Sequence, residues 1–124
     1  MFNADEENTA VTDGVWREFK GSEFLIAHLS SVPFQRALAR HQQPHSKKLA
    51  EGKLDPEINR RVVAKAMSEG LLLDWRKVQG DPVYTPELGY KALMKQPDFR
   101  DFVSSVAADL TNFLKEETEE LGED

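Results

Sequence analysis

The feature that most constrains this chain is an apolar stripe near its C-terminal end. Phe99, Phe102, Val103, Val106, Ala107, Leu110, Phe113 and Leu114 recur at steps of three and four residues. Such spacing puts all of them on one face of an α-helix, and that face must be buried against something. Pro97 and Asp98 open the run with a proline suited to a first turn and a negative charge at the positive end of the helix dipole. This is expected to be the longest helix of the fold and the one that holds the core together.

Upstream, Val15-Trp16-Arg17-Glu18-Phe19 and Phe24-Leu25-Ile26-Ala27-His28-Leu29 concentrate aromatic and β-branched residues around Lys20-Gly21-Ser22. They read as a β-hairpin. Val15, Arg17 and Phe19 share one face of the first strand and Trp16 and Glu18 the other, so both faces are partly apolar. A hairpin alone is marginal in water and has to lie on helices.

Prolines punctuate what lies between. Ser31 and Pro33 start a helix carrying Phe34, Leu38 and His41, and Pro44 ends it. Ser46 to Gly52 reads equally as a short helix or a loop. Asp55-Pro56 opens the next helix, with Ile58, Val62, Val63, Ala66 and Met67 on its apolar stripe and Gly70 at a bend or cap. Leu71-Leu72-Leu73-Asp74-Trp75 is either a last buried turn or a crossing segment. Gly80-Asp81-Pro82 is a turn, Val83-Tyr84-Thr85 reads as a short strand, and Thr85-Pro86 caps a helix that Pro97 stops. The expected class is α+β: an N-terminal β-hairpin packed against four or five α-helices, the longest C-terminal.

A chain of 124 residues has the size of one domain. Acidic residues crowd both ends, with Asp5, Glu6 and Glu7 at one and Glu116, Glu117, Glu119, Glu120, Glu123 and Asp124 at the other. Like charges with few apolar partners do not offset their ordering entropy. The expected division is a flexible acidic N-terminus over 1–12, a globular domain over 13–115 and a flexible acidic tail over 116–124.

The chemistry needed for catalysis is missing. With no cysteine there is no disulfide, thiolate metal site or thiol nucleophile. No phosphate-binding glycine loop, nucleophile elbow or zinc-binding His-Glu-x-x-His motif occurs. His41 and His45 stand four apart, as helical metal ligands do, but Pro44 lies between them. Asp74 beside Trp75 is the carboxylate set in the most apolar surroundings, and its plain reading is a polar residue ending an apolar turn. The expectation is no enzyme, no cofactor and no metal. No apolar run approaches the ~20 residues that span a bilayer, and no basic-then-apolar leader opens the chain. A cytoplasmic protein without a membrane partner is expected.

The net charge of −6 is segregated. Residues 35–65 hold eight basic side chains, among them Arg36, Arg40, Arg60 and Arg61, against three acidic ones, while the flanking segments are acidic. A basic middle between acidic ends reads either as ordinary charge scatter on solvated helix faces or as a pattern that could steer like copies head to tail; a homo-oligomer is expected. The same middle could meet phosphate as a helix-turn-helix. Against that stand the negative total charge and the poverty of base-reading side chains around Arg60-Arg61, where only Asn59 is of the amide type. Nucleic acid is not the expected partner.

Three segments together resemble the tail assembly chaperones of long-tailed, siphovirus-type bacteriophages and prophages. The first is Gly14-Val15-Trp16-Arg17-Glu18-Phe19 with Glu23-Phe24-Leu25-Ile26-Ala27, leading to Pro33-Phe34-Gln35-Arg36-Ala37-Leu38. The second is Leu73-Asp74-Trp75 with Gly80-Asp81-Pro82-Val83-Tyr84-Thr85-Pro86-Glu87. The third runs from Pro97-Asp98-Phe99-Arg100-Asp101-Phe102-Val103 through Ala107 to Asn112-Phe113 and the acidic tail. The resemblance implies a protein of the host cytoplasm that coats the tape measure protein, keeps it soluble, recruits tail tube protein and is absent from the mature virion. Members of that family are often also made as a longer frameshifted product, which a protein sequence does not reveal. Trp16, Phe19, Leu71, Leu72, Leu73 and Trp75, with Arg36 and Arg40, are the residues expected to contact partners; the apolar ones read equally as filling the core of the domain. The rival classes are a DNA-binding regulator using the basic middle and a structural connector retained in the particle.

Overall fold

Lys20 and Gly21 both adopt positive φ, 51° and 83°. That pair of left-handed residues makes the two-residue turn whose twist matches a hairpin, and glycine fills its second position without strain. The computed structural model, which describes residues 1–114, accordingly pairs β1 (Val15–Phe19) with β2 (Ser22–Ile26) from Phe19↔Ser22 to Val15↔Ile26. The second strand therefore starts two residues earlier and ends three earlier than expected. Beyond Ile26 the backbone donors are taken elsewhere: Ala27 N–H by Leu71 O at 2.8 Å and Leu29 N–H by Ala107 O at 3.0 Å.

The helices are α1 (Ala10–Asp13), α2 (Val32–Gln42), α3 (Ser46–Ala50), α4 (Pro56–Gly70), α5 (Pro86–Lys95) and α6 (Pro97–Ala108). The crossing segment becomes a third strand, β3 (Leu72–Arg76), antiparallel to β2, in a sheet of order β1-β2-β3. The register runs Glu23↔Arg76, Phe24↔Trp75, Leu25↔Asp74 and then Ile26↔Leu72, so a bulge leaves Leu73 out of the pairing. One sheet face carries Phe19, Phe24 and Trp75 and lies on α6. Phe19 stacks on Phe102 with centroids 4.7 Å apart, and Phe24 meets Phe99 at 4.8 Å. The other face carries Trp16, Glu18, Glu23, Leu25, Asp74 and Arg76. The α+β class is as expected.

Helices α2 and α4 pack with backbones in close approach. A Cβ on Gly70 would lie 2.6 Å from the Phe34 Cα, so glycine alone fits this crossing. Asp55 caps α4 by accepting from Glu57 N–H at 2.8 Å, and Thr85 caps α5 by accepting from Leu88 N–H at 3.2 Å. Ser31 precedes α2 as expected, but its hydroxyl makes no cap; it is buried with no hydrogen-bond partner among the described residues.

Three expectations need correction. The longest described helix is α4, with 15 residues, not the C-terminal α6, with 12. Asp109 stops α6: its carboxylate accepts from the Thr111 N–H at 3.0 Å and hydroxyl at 2.6 Å, turning Leu110–Phe113 into a 3₁₀ turn. Phe113 stays buried, whereas Leu110 and Leu114 are 51% and 55% exposed. Second, the chain joins the domain before residue 13, since Asn8 Nδ2 donates to Phe113 O at 2.8 Å and His28 N–H to Val11 O at 2.9 Å. The tail expected over 116–124 lies outside the described residues. Third, Val83-Tyr84-Thr85 pairs with no strand; Tyr84 instead turns inward onto Trp75, their rings 4.9 Å apart.

Candidate interaction surfaces

The eight residues expected to contact partners fall in separate places. Leu71 and Leu72 are 1% and 0% exposed and belong to the core, so the folded chain does not present them to a partner. The reason is the pairing of this segment with β2: β3 joins the sheet as its third strand, Ala27 N–H bonds Leu71 O, and the start of the leucine run is buried in the core. Leu73 is half-buried at the bulge. Phe19 and Trp75 are half-buried on the inner sheet face, and the Trp75 indole donates to Pro82 O at 2.8 Å. Trp16 stands on the outer face, while Arg36 and Arg40 are exposed on α2.

The outer sheet face is largely self-satisfied. The Arg76 guanidinium lies over the Trp16 ring at 4.0 Å and bonds Glu23 at 2.7 Å, with Lys77 3.4 Å from the same carboxylate. The Arg76 hydrogen bond, seconded by Lys77, holds the Glu23 carboxyl below its ordinary range. Arg17 guards the edge strand: its Nη1 donates to Trp16 O at 2.8 Å and its Nε to Asn112 Oδ1 at 3.4 Å. Asp74 is exposed on β3 and accepts from Trp75 N–H, a local turn contact.

A different face, between α2 and α3, is open. Pro44 ends α2 and the 3₁₀ turn Gln43–His45 swings the chain into α3. Ala39, Gln42 and Gln43 of the first helix and its end then face Ser46, Leu49 and Ala50 of the second across a hollow of about 430 Å³. Small alanines on both walls leave the space, and the lining is mainly apolar. Leu49 is 39% exposed within it. Arg36 continues the stripe of Ala39 and Gln43 one turn earlier, and Lys47 and Lys48 flank the lining of α3. Among the described residues these three cations make no ion pair. Of the others in the basic middle, Arg40 pairs with Glu69 at 2.5 Å, Lys53 with Glu51 at 3.7 Å, and Arg60 and Arg61 with Glu57 at 2.5 and 3.8 Å, while Lys65 lies over the Tyr90 ring at 6.0 Å. His41 also bonds Glu69, at 2.8 Å, while His45 lies in the 3₁₀ turn, so the histidine pair is split. Sequence reading missed the hollow; the signal available was Pro44 between two stripes with alanine at their facing positions.

These features define a small α+β domain whose surface includes a mainly apolar hollow, with Arg36, Lys47 and Lys48, unpaired among the described residues, on the two helices that form it. A family described as YdaY prophage protein matches residues 29–123, and the chain belongs to that family. It is therefore a prophage-associated protein. The matched residues include α2 to α6, β3 and the whole hollow; the hairpin of β1 and β2 precedes them. No curated protein and no solved structure matches the chain. Among the described residues no helix is long and apolar enough to cross a membrane.

Proposed function

We propose that this prophage protein is a tail assembly chaperone that binds the tape measure protein, keeps its apolar helices soluble and helps recruit tail tube protein. It acts by reversible binding, without catalysis or cofactor, in the host cytoplasm, and does not remain in the mature virion. The observation that carries the reading is the hollow between α2 and α3. Its apolar lining of Ala39, Leu49 and Ala50 suits an apolar side chain projecting from a client helix. The amides of Gln42 and Gln43 and the cations Arg36, Lys47 and Lys48 suit that helix's polar flank. Prophage membership and the ordered likeness from Trp16 to Phe113 support the same reading.

A DNA-binding regulator is less well supported. Both arginines of α4 are engaged by Glu57, and Asp55 and Glu57 put negative charge at the helix end a recognition helix would offer to DNA. Co-expression with the tape measure protein of the same prophage tests the proposal. The intact chain should raise the client's soluble fraction and co-purify with it, and Leu49→Glu should abolish both. A client equally insoluble with and without this chain would overturn the reading.

A further inference from the structure

We propose that the hollow between α2 and α3 takes the Val83 loop of a second copy of this chain. Val83 is 84% exposed, more than any other large apolar residue among the described ones except Met1 and Phe2 at the N-terminus. The loop that bears it is fixed on both sides. Pro82 O accepts from the Trp75 indole at 2.8 Å, while Tyr84 packs edge-on to Trp75 and donates its hydroxyl to Ser68 O. Gly80 and Asp81 turn the chain with positive φ, and Asp81 N–H is held by Val78 O at 2.8 Å. With both chain neighbours anchored, Val83 is held outward as an apolar knob, and docking it costs little ordering entropy.

The charges around knob and hollow are complementary. Asp81 and Glu87 bracket Val83 along the chain, and Asp74 acts together with Glu87 on the adjacent Tyr84. None of these three carboxylates makes an ion pair among the described residues, and the neighbouring cations Arg76 and Lys77 are turned to Glu23. Arg36, Lys47 and Lys48 beside the hollow are likewise unpaired there. The single chain answers neither set of charges, and it leaves Val83 exposed and the hollow open. A hollow of about 430 Å³ lined by Ala39, Leu49 and Ala50 is ample for a valine side chain. Opposite charges around that apolar contact favour knob with hollow over knob with knob or hollow with hollow. A patch this small falls short of the roughly 1,200 Å² of a stable interface, so the contact forms at about 1 mM protein and opens on dilution. Dilute protein therefore offers an open hollow to a client, and the self-contact does not depend on the chaperone reading.

Two variants at exposed positions separate the halves of the contact. V83K loses the knob and keeps the hollow, whereas R36E/K47E/K48E loses the cations and keeps the knob. Wild-type amide shifts should move together around residues 36–50 and 80–87 between about 0.05 and 1 mM, and neither variant alone should show the change. Unlabelled R36E/K47E/K48E added to isotope-labelled V83K should then shift residues 36–50 of V83K, and added unlabelled V83K should not. Wild-type shifts that do not depend on concentration would overturn the proposal. So would shifts confined to other residues or to one of the two segments, or a mixture that behaves as each variant alone. No client enters these measurements, so their failure leaves the co-expression test standing, and the reverse.

Discussion

Tyr84 donates its hydroxyl to the carbonyl of Ser68 across 2.5 Å, reaching from the loop after β3 to the last turn of α4. That carbonyl is among the last four of the helix, which have no donor within it. Burial first, and then the charges of Asp74, Glu87 and Glu69, push the phenol well above its ordinary value. Removing the hydroxyl by Tyr84→Phe should cost roughly 1 kcal/mol, read from urea unfolding at neutral pH. The sign at alkaline pH follows. A raised folded pKa gives stability that is complete below the unfolded value near 10 and is lost as pH rises towards the folded one. The wild type should therefore lose stability above about pH 10 more steeply than Tyr84→Phe.

Gly70 tests the approach of α2 to α4. A methyl there meets the Phe34 and Pro33 backbone, which cannot rotate away as a side chain would. Gly70→Ala should lower stability by roughly 3 kcal/mol, although alanine is the better helix former. Thermal unfolding monitored by far-ultraviolet circular dichroism reads it, and an unchanged midpoint would show that the helices are further apart.

At the far side of the sheet, Lys20 in the hairpin turn bonds Asp98 in the first turn of α6 at 2.5 Å. The Lys20 hydrogen bond, helped by the Phe99 N–H, holds the Asp98 carboxyl below its ordinary value. A depressed folded pKa gives stability present above the unfolded value near 3.9 and lost as pH falls through the folded one. Wild type should therefore melt above Asp98→Asn at neutral pH and low salt, and the two should converge on acidification or in high salt. Melting curves from pH 7 downward check it.

Leu72 and Leu49 separate core from surface. Leu72→Ala empties a fully buried site and should cost roughly 2–5 kcal/mol. Leu49→Ser, in the open hollow, should stay within about 0.5 kcal/mol. Equal losses at the two sites would mean that the hollow is part of the core.

Much of the helical frame was legible because its signals are local. Pro33, Pro56, Pro86 and Pro97 each stand in a helix's first turn, where a missing N–H is harmless, and Lys20-Gly21 set the hairpin turn. Non-local pairing was not legible. Whether Leu72–Arg76 is a helix turn or a strand depends on the free edge of β2, distant in sequence. The end of α6 was misread because the apolar stripe continues through Leu110 and Leu114 while the Asp109 carboxylate captures the donors. The leucine run looked like spare apolar surface because composition does not say which strand fills the core. For the hollow the local signal was Pro44 between two stripes with facing alanines, but its shape depends on how α3 folds back on α2.

Hydrogen–deuterium exchange on the complex with the tape measure protein tests the central claim most directly. The account predicts slowed exchange over residues 39–50 of this chain when the client is bound, with the outer face around Trp16 and Arg76 unchanged. Protection confined to the sheet face, with residues 39–50 exchanging as in the free protein, would contradict it.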